Sequence, residues 1–302
     1  MLRKYFVLLR TAVTEFIADD ALSHGAAIAY YTVTSMAPVL LIVVAIAGFV
    51  FGTEAAQGAI VEQLSGLMGS QSAQVLQSIV QSAGNRGSGT IATILGVVTL
   101  LVTASGVFGE MQSSLNVIWK TEPKAITVSR LVRARLLSLG LVATLGFLLL
   151  VSLVISTALS AAATWLNGVV PEFNVVLQVV NSLVSLLIVA VLFGAVYKIL
   201  PDKRLTWGDV AVGAISTAIL FTLGKFLISL YIGSSTIASS YGAAGALIVI
   251  LIWVYYSAQI FLLGAEFTKV YSNARGNRAV AQESDGIHPK IARLKRELRT
   301  RR

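Results

Sequence analysis

Apolar residues make up 56% of this 302-residue chain and charged residues only 12%, about half the charged share of a soluble domain. That composition excludes an ordinary water-soluble globule, and the absence of cysteine excludes disulfides and thiolate metal sites. A formal charge of +9 leaves nucleic acid or anionic lipid as partners, and the placement of the charges decides between them.

In residues 1–25 the apolar positions Tyr5, Phe6, Leu9, Ala12, Val13, Phe16 and Ile17 recur at helical spacing beside Arg3, Lys4 and Arg10. This reads as an interfacial amphipathic helix; a cytosolic helix packed on the bundle fits the same pattern. Asp19 and Asp20 precede the first long apolar run, so the segment does not read as a cleavable signal.

A bilayer core is crossed by roughly 20 apolar residues in helical form. Six stretches qualify: 26–51, 91–111, 136–159, 175–197, 210–232 and 241–265. Between the first two, residues 54–84 carry Ile60, Val61, Leu64, Leu67 and Met68, then Val75, Leu76, Ile79 and Val80, which predicts two short external amphipathic helices. The remaining basic tail, 273–302, follows a transmembrane domain of 26–272.

Lys and Arg orient the chain. Of its 23 basic residues, 21 fall in residues 1–25, 112–135, 198–209 and the stretch from Glu266 onward. Those segments share one side of the membrane if there are six spans, and that side is the cytoplasm. The fold class is therefore all-α: a polytopic integral membrane protein with six transmembrane helices and both termini inside. Trp119, Trp165 and Trp207 fall near span ends, where interfacial rings are expected. The tail "KIARLKRELRTRR" reads as a contact for anionic lipid rather than for nucleic acid.

Polar residues inside the spans are the candidate functional positions. In "AYYTVTSMAP", Pro38 removes a backbone donor mid-span, and Thr34 and Ser35 stand close by. In the fifth span, Leu220, Leu223, Leu227 and Leu230 form one stripe, and Lys225 lies about 140–160° from each of them. Lys225 shares its face with Ala211, Ala214, Ala218, Thr222 and Ser229, so it is expected to point into the bundle, near the outer leaflet. Snorkelling to the surface and lining a polar path are both open to it. Gln259, with Tyr255 and Tyr256, puts polarity into the sixth span and predicts an interhelical hydrogen bond. Glu110 and Glu266 sit at the cytoplasmic ends of the second and sixth spans, where the helix dipole disfavours an anion. Pairing with the local Arg/Lys excess is the structural account of both; gating or proton coupling is the functional one.

The stretches "AAIAYYTVTSMAP", "GVFGEMQSSLNVIW", "YKILPDKRLTWGDVAVGA" and "LFTLGKFLISLYIGSSTIASSYGAAGALIVILIWVYYSAQIFLLGAEF" resemble the bacterial YihY/BrkB family of inner-membrane proteins over about residues 10–275. Lys225 falls at the family's "GKF" position, Glu110 at "FGE" and Glu266 at "GAEF". The resemblance implies no settled activity: some homologues are linked to serum resistance and virulence, several are treated as transporters, and others carry a ribonuclease BN label. The two histidines here, His24 and His288, form no HxHxDH-like cluster. No catalytic, cofactor or metal-binding set is therefore expected, and nuclease activity is the remote reading. The expected function is an inner-membrane transporter or channel-like permease for an unidentified, anionic solute. Its path runs past Lys225, Pro38, Thr34, Ser35 and Gln259, with Glu110 and Glu266 as cytoplasmic polar elements. The alternative is a non-transporting envelope-integrity scaffold that binds lipid or partner proteins.

Overall fold

The structure, a computed structural model, describes residues 2–52, 54, 57–58, 61–62, 65, 73–78, 106–121, 173–203, 205–234 and 237–300. Every regular element among the described residues is α-helical. In chain order these are α1 (Leu2–Ala18), α2 (Ala21–Phe51), α3 (106–118), α4 (Phe173–Ile199), α5 (Trp207–Ser234) and α6 (Ile237–Thr300). The predicted span over 136–159, most of the predicted span over 91–111 and most of the predicted external helices over 54–84 lie outside the described residues. The described residues within 54–84 are helical, and Leu76 packs with Ala29, Ile250 and Val254 between α2 and α6.

Among the described residues three stretches are long and apolar enough to cross a membrane: Val179–Ile199 in α4, Trp207–Ile228 in α5 and Ala244–Arg275 in α6. The first of these, 21 residues, covers about 30 Å, the thickness of a hydrocarbon core. Along α4 the apolar residues Val176, Val180, Leu183, Leu187 and Val191 are exposed in one stripe, and on α5 so are Leu223, Phe226, Leu227 and Leu230. Apolar surface of that extent is suited to lipid rather than water.

The helix ends follow local chemistry. The predicted first span is enclosed in α2, which passes through Pro38 as one helix; the proline removes a single hydrogen bond without ending it. Thr206 starts α5, its Oγ1 donating to Asp209 Oδ2 (2.7 Å) and accepting from the Asp209 amide (3.3 Å). Asp209 is thus in the first turn rather than at the cap. Past Ala265, α6 continues to Thr300, well beyond the predicted end of the sixth span. Residues 265–274 contain neither glycine nor proline, so nothing stops the helix at the membrane edge.

α6 is the hub, packing against α1, α2 and α5, while α4 lies on α5. Antiparallel α5 and α6 meet through a repeated five-residue run, Gly213–Thr217 ("GAIST") and Gly264–Thr268 ("GAEFT"). A methyl group on Gly213 would overlap Thr268 Oγ1, and one on Gly264 would overlap Thr217 Oγ1. Each threonine also donates to the carbonyl of its own glycine, at 2.8 Å for Thr217 and 2.7 Å for Thr268. Small residues thus let two backbones approach, the usual basis of helix association in lipid. Beside this contact Tyr197 stacks on Phe261 (5.3 Å between centroids) and donates to the Phe261 carbonyl at 2.6 Å. The main core gathers here, with Leu115, Ile118 and Trp119 of the α3 end packed on Tyr197, Leu262 and Ala265. Trp119, expected at the lipid interface, is buried in this core under Lys203 (5.4 Å to the ring). Trp207 is exposed.

Candidate functional site

Most of the ion pairs among the described residues gather at the end of the molecule where α1 turns into α2, α3 stops and α6 leaves the core. Asp19 and Asp20 form the turn between α1 and α2, with Asp20 left-handed (φ 52°) and Ser23 Oγ donating to its Oδ1 at 3.0 Å. Short acidic residues tolerate that conformation better than most. α1 presents Leu8, Ala12 and Glu15 on one helical face, and Asp19, just past its end with its amide still bonded to Glu15 O (2.8 Å), continues that face; Leu8 and Ala12 pack on Val270, Phe267 and Tyr271 of α6. The same face therefore carries Glu15 and Asp19 to α6, where Glu266 and Lys269 stand one turn apart.

Lys269 Nζ lies 2.7 Å from Glu15 Oε2, 3.2 Å from Asp19 Oδ2 and 2.9 Å from Glu266 Oε2. The three carboxylates place one oxygen each within 4.8 Å of one another. This is the spacing of a cation site, and the cation at its centre is the lysine's own ammonium. Exposure falls stepwise through the cluster: the Glu15 side chain is 39% exposed, Asp19 5% and Glu266 0%. Neither Glu266 oxygen receives an aligned hydrogen bond from a donor among the described residues, although both are buried.

A second lysine arrives from α3. That helix closes with the Thr121 amide donating to Asn116 O (3.0 Å) and the Lys120 amide to Val117 O (3.0 Å), with Lys120 in the left-handed conformation (φ 48°). Glycine is the usual occupant of such a position. Here the side chain has a use: Lys120 Nζ contacts Asp19 Oδ1. Burial pushes the Asp19 carboxyl up, but the hydrogen bond from Lys120, the one shared with Glu266 and the Lys269 ammonium outweigh it and hold Asp19 below its ordinary 3.8.

Two satellite pairs flank the cluster. His24 Nδ1 of α2 is 3.1 Å from Glu110 Oε1 of α3, and Arg275 Nη1 of α6 is 3.5 Å from Asp209 Oδ1 of α5. Ser272 Oγ also donates to Asp209 Oδ2 at 3.0 Å. Asn116 clasps the turn after α4, donating to Asp202 Oδ2 and accepting from the Asp202 amide, both at 3.0 Å.

The predicted positions separate into two groups. Glu110 and Glu266 both fall at the charged end, around the start of α2. Glu266 pairs with a lysine, as expected; Glu110 pairs with His24 instead of Arg or Lys. Gln259 makes an interhelical hydrogen bond, Nε2 to the Leu22 carbonyl of α2 at 3.3 Å, beside Gly25, where a methyl group would overlap the Gln259 amide. Thr34 Oγ1 donates to Tyr30 and Tyr31 carbonyls (2.9 and 3.0 Å), and the buried Ser35 to Thr32 O at 3.2 Å, so both hydroxyls bond their own helix. Pro38 lies in α2, its side chain outside the described residues. Lys225 is exposed on α5. It stands opposite the leucine stripe, as read from sequence, at the edge of the face through which α5 is buried: about 20° from Ala214 and Ala218, but about 60° from Val210 and Ile228 and about 80° from Thr217. Among the described residues nothing encloses it, and none of its contacts is with Thr34, Ser35 or Gln259. Sequence reasoning missed Glu15, Asp19, Lys120 and Lys269 as partners of Glu266. The available signals were the acids at i, i+4 in Glu15 and Asp19 and the acid-base pair at i, i+3 in Glu266 and Lys269.

The family model described as "Virulence factor BrkB" matches residues 12–287. UPF0761 membrane proteins are similar to the chain: one of Enterobacter sp. strain 638 is 32% identical over 65% of this chain and 65% of its own length, and YihY of Salmonella typhimurium is 31% identical over the same shares. A relative in Rhodospirillum centenum is 26% identical over 93% of this chain and 61% of its own. The chain spans about half to two thirds of the length of the curated relatives it matches. No solved structure matches. With the family model covering nearly the whole chain, and membrane-length apolar helices in the fold, the chain belongs to the YihY/BrkB family of membrane proteins.

Proposed function

We propose that the chain is a six-span protein of the bacterial inner membrane, both termini cytoplasmic, that acts as a transporter or channel-like permease for a small anionic solute. The concentration of 21 of 23 basic residues on one side supports the topology. The observation that carries the permease reading is the fully buried Glu266 within a carboxylate cluster at the end of a membrane-length helix. Ionisable groups buried within membrane-spanning helices are costly and are functional candidates by default. Lys225 would attract the anion from the outer side, and Glu110 and Glu266 would act at the cytoplasmic end. The basic tail would contact anionic lipid. No catalytic group is assigned.

Two observations favour the alternative scaffold: Lys225 is exposed, and the Thr34 and Ser35 hydroxyls are spent on their own helix. Flux measurements separate the two. Vesicles containing the protein are expected to pass at least one small anion faster than empty vesicles, with Lys225→Met altering rate or selectivity. Vesicles as tight as empty ones across a broad solute panel would leave only the scaffold.

A further inference from the structure

We propose that the Glu15–Asp19–Glu266 cluster is a proton-binding site, in which one proton is shared between Glu266 and Asp19 and reaches them from solvent by way of Glu15. This holds whether or not the protein moves a solute.

Among the described residues, the charge count leaves one carboxylate without an ammonium of its own. Three carboxylates, on α1, on the α1–α2 turn and on α6, surround one buried ammonium, Lys269. The second ammonium, Lys120, reaches only Asp19 and is 61% exposed. Fully ionised, the cluster holds one negative charge more than its lysines neutralise, at a place where Glu266 has no contact with water. An uncompensated buried charge is strongly unfavourable, and such a group sheds it by binding a proton or a counter-ion. Space at the centre of the three carboxylates is taken by Lys269 Nζ, which leaves the proton as the ion that fits.

The geometry also says where the proton sits. Asp19 has an ammonium on each oxygen, Lys120 on Oδ1 and Lys269 on Oδ2, and is held as the carboxylate. Glu266 has the Lys269 ion pair alone and no aligned donor. Two facing carboxyl groups hydrogen-bond only through a proton, so a hydronium ion gives one proton to a Glu266 oxygen, leaves as water, and the new O–H donates to Asp19. Glu15, partly exposed and on the same ammonium, is the entry point. Among the described residues, two further pairs around this end are committed to each other, His24 of α2 with Glu110 of α3 and Asp209 of α5 with Arg275 of α6, while Asp20 accepts from Ser23, Asp202 from Asn116, and Lys203 lies over Trp119.

Infrared difference spectroscopy on the purified full chain in lipid nanodiscs tests this directly, as pH is stepped. The wild type is expected to show the carbonyl stretch of one protonated carboxylic acid, shifted in D2O and lost in Glu266→Gln. Asp19→Asn is expected to move the band by changing its acceptor, and Glu15→Gln to slow its hydrogen–deuterium exchange while leaving it in place. Wild-type and Glu266→Gln spectra that match throughout the carboxylic-acid region would overturn the proposal. If Glu266→Gln fails to assemble, Glu266→Asp keeps the test alive: the band must pass from sensitivity to 13C-glutamate labelling to sensitivity to 13C-aspartate labelling. A band that keeps its glutamate sensitivity overturns the assignment.

Discussion

The two halves of the α5–α6 pair treat polar groups in opposite ways. At the charged end, Gln259, Lys269, Ser272 and Arg275 of α6 each engage a residue of another segment, and Glu266 pairs with Lys269. In the other half of α5, Leu223, Phe226, Leu227 and Leu230 are exposed, and so is Lys225 on the side away from the leucines. The contrast separates two strategies for a costly group in a membrane protein. A charge is either locked among partners, where removing one strands the others, or left at the rim, where its loss disturbs little.

The most severe way to break this contrast is to exchange the central cation. Lys269→Met leaves three carboxylates facing one another and is expected to destabilise the protein by about 3–5 kcal/mol, as loss of one partner of a buried ion pair does. The same exchange at exposed Lys225 is expected to stay within about 0.5 kcal/mol. Denaturation of both variants in the same detergent checks the pair; equal losses would erase the distinction.

A middle-sized effect tests whether packing or charge holds the charged end. Gly264→Ala forces a methyl group onto Thr217 Oγ1, with the Tyr197 hydroxyl 2.6 Å away, and is expected to cost about 1–3 kcal/mol without changing any charge. Thermal melts of Gly264→Ala should therefore shift equally at low and high salt, whereas those of Lys269→Met should not.

The smallest effect is pH-dependent. Because Asp19 is held below its ordinary value, its contribution is complete above the unfolded value near 3.8 and is lost as pH falls through the lower folded value. Lys120→Met should reduce that acid-side loss, by under about 1 kcal/mol because Lys120 is largely exposed. An unchanged stability–pH profile would remove Lys120 from the cluster.

Much of the architecture was legible because hydropathy is local. The predicted first, fourth, fifth and sixth spans all fall inside helices, and the rotational position of Lys225 opposite the leucine stripe follows from helical geometry alone. Its exposure does not, since that depends on which narrow face α5 presents to α4 and α6. The cluster was even less accessible. Lys269 meets Asp19 across 250 positions of sequence and Lys120 meets it across 101, so no window of sequence contains the site. The "GAxxT" pair was visible as a repeat of letters, but its meaning needed the antiparallel pairing of the two helices.

That pair carries a mechanical consequence. With each threonine seated in the other helix's glycine notch, turning α6 about its axis would unseat both at once, so α5 and α6 move as one rigid body. Among the described helices, relative motion is therefore left to the seam where α1 and α2 meet that body, a seam fastened by charge as well as by packing.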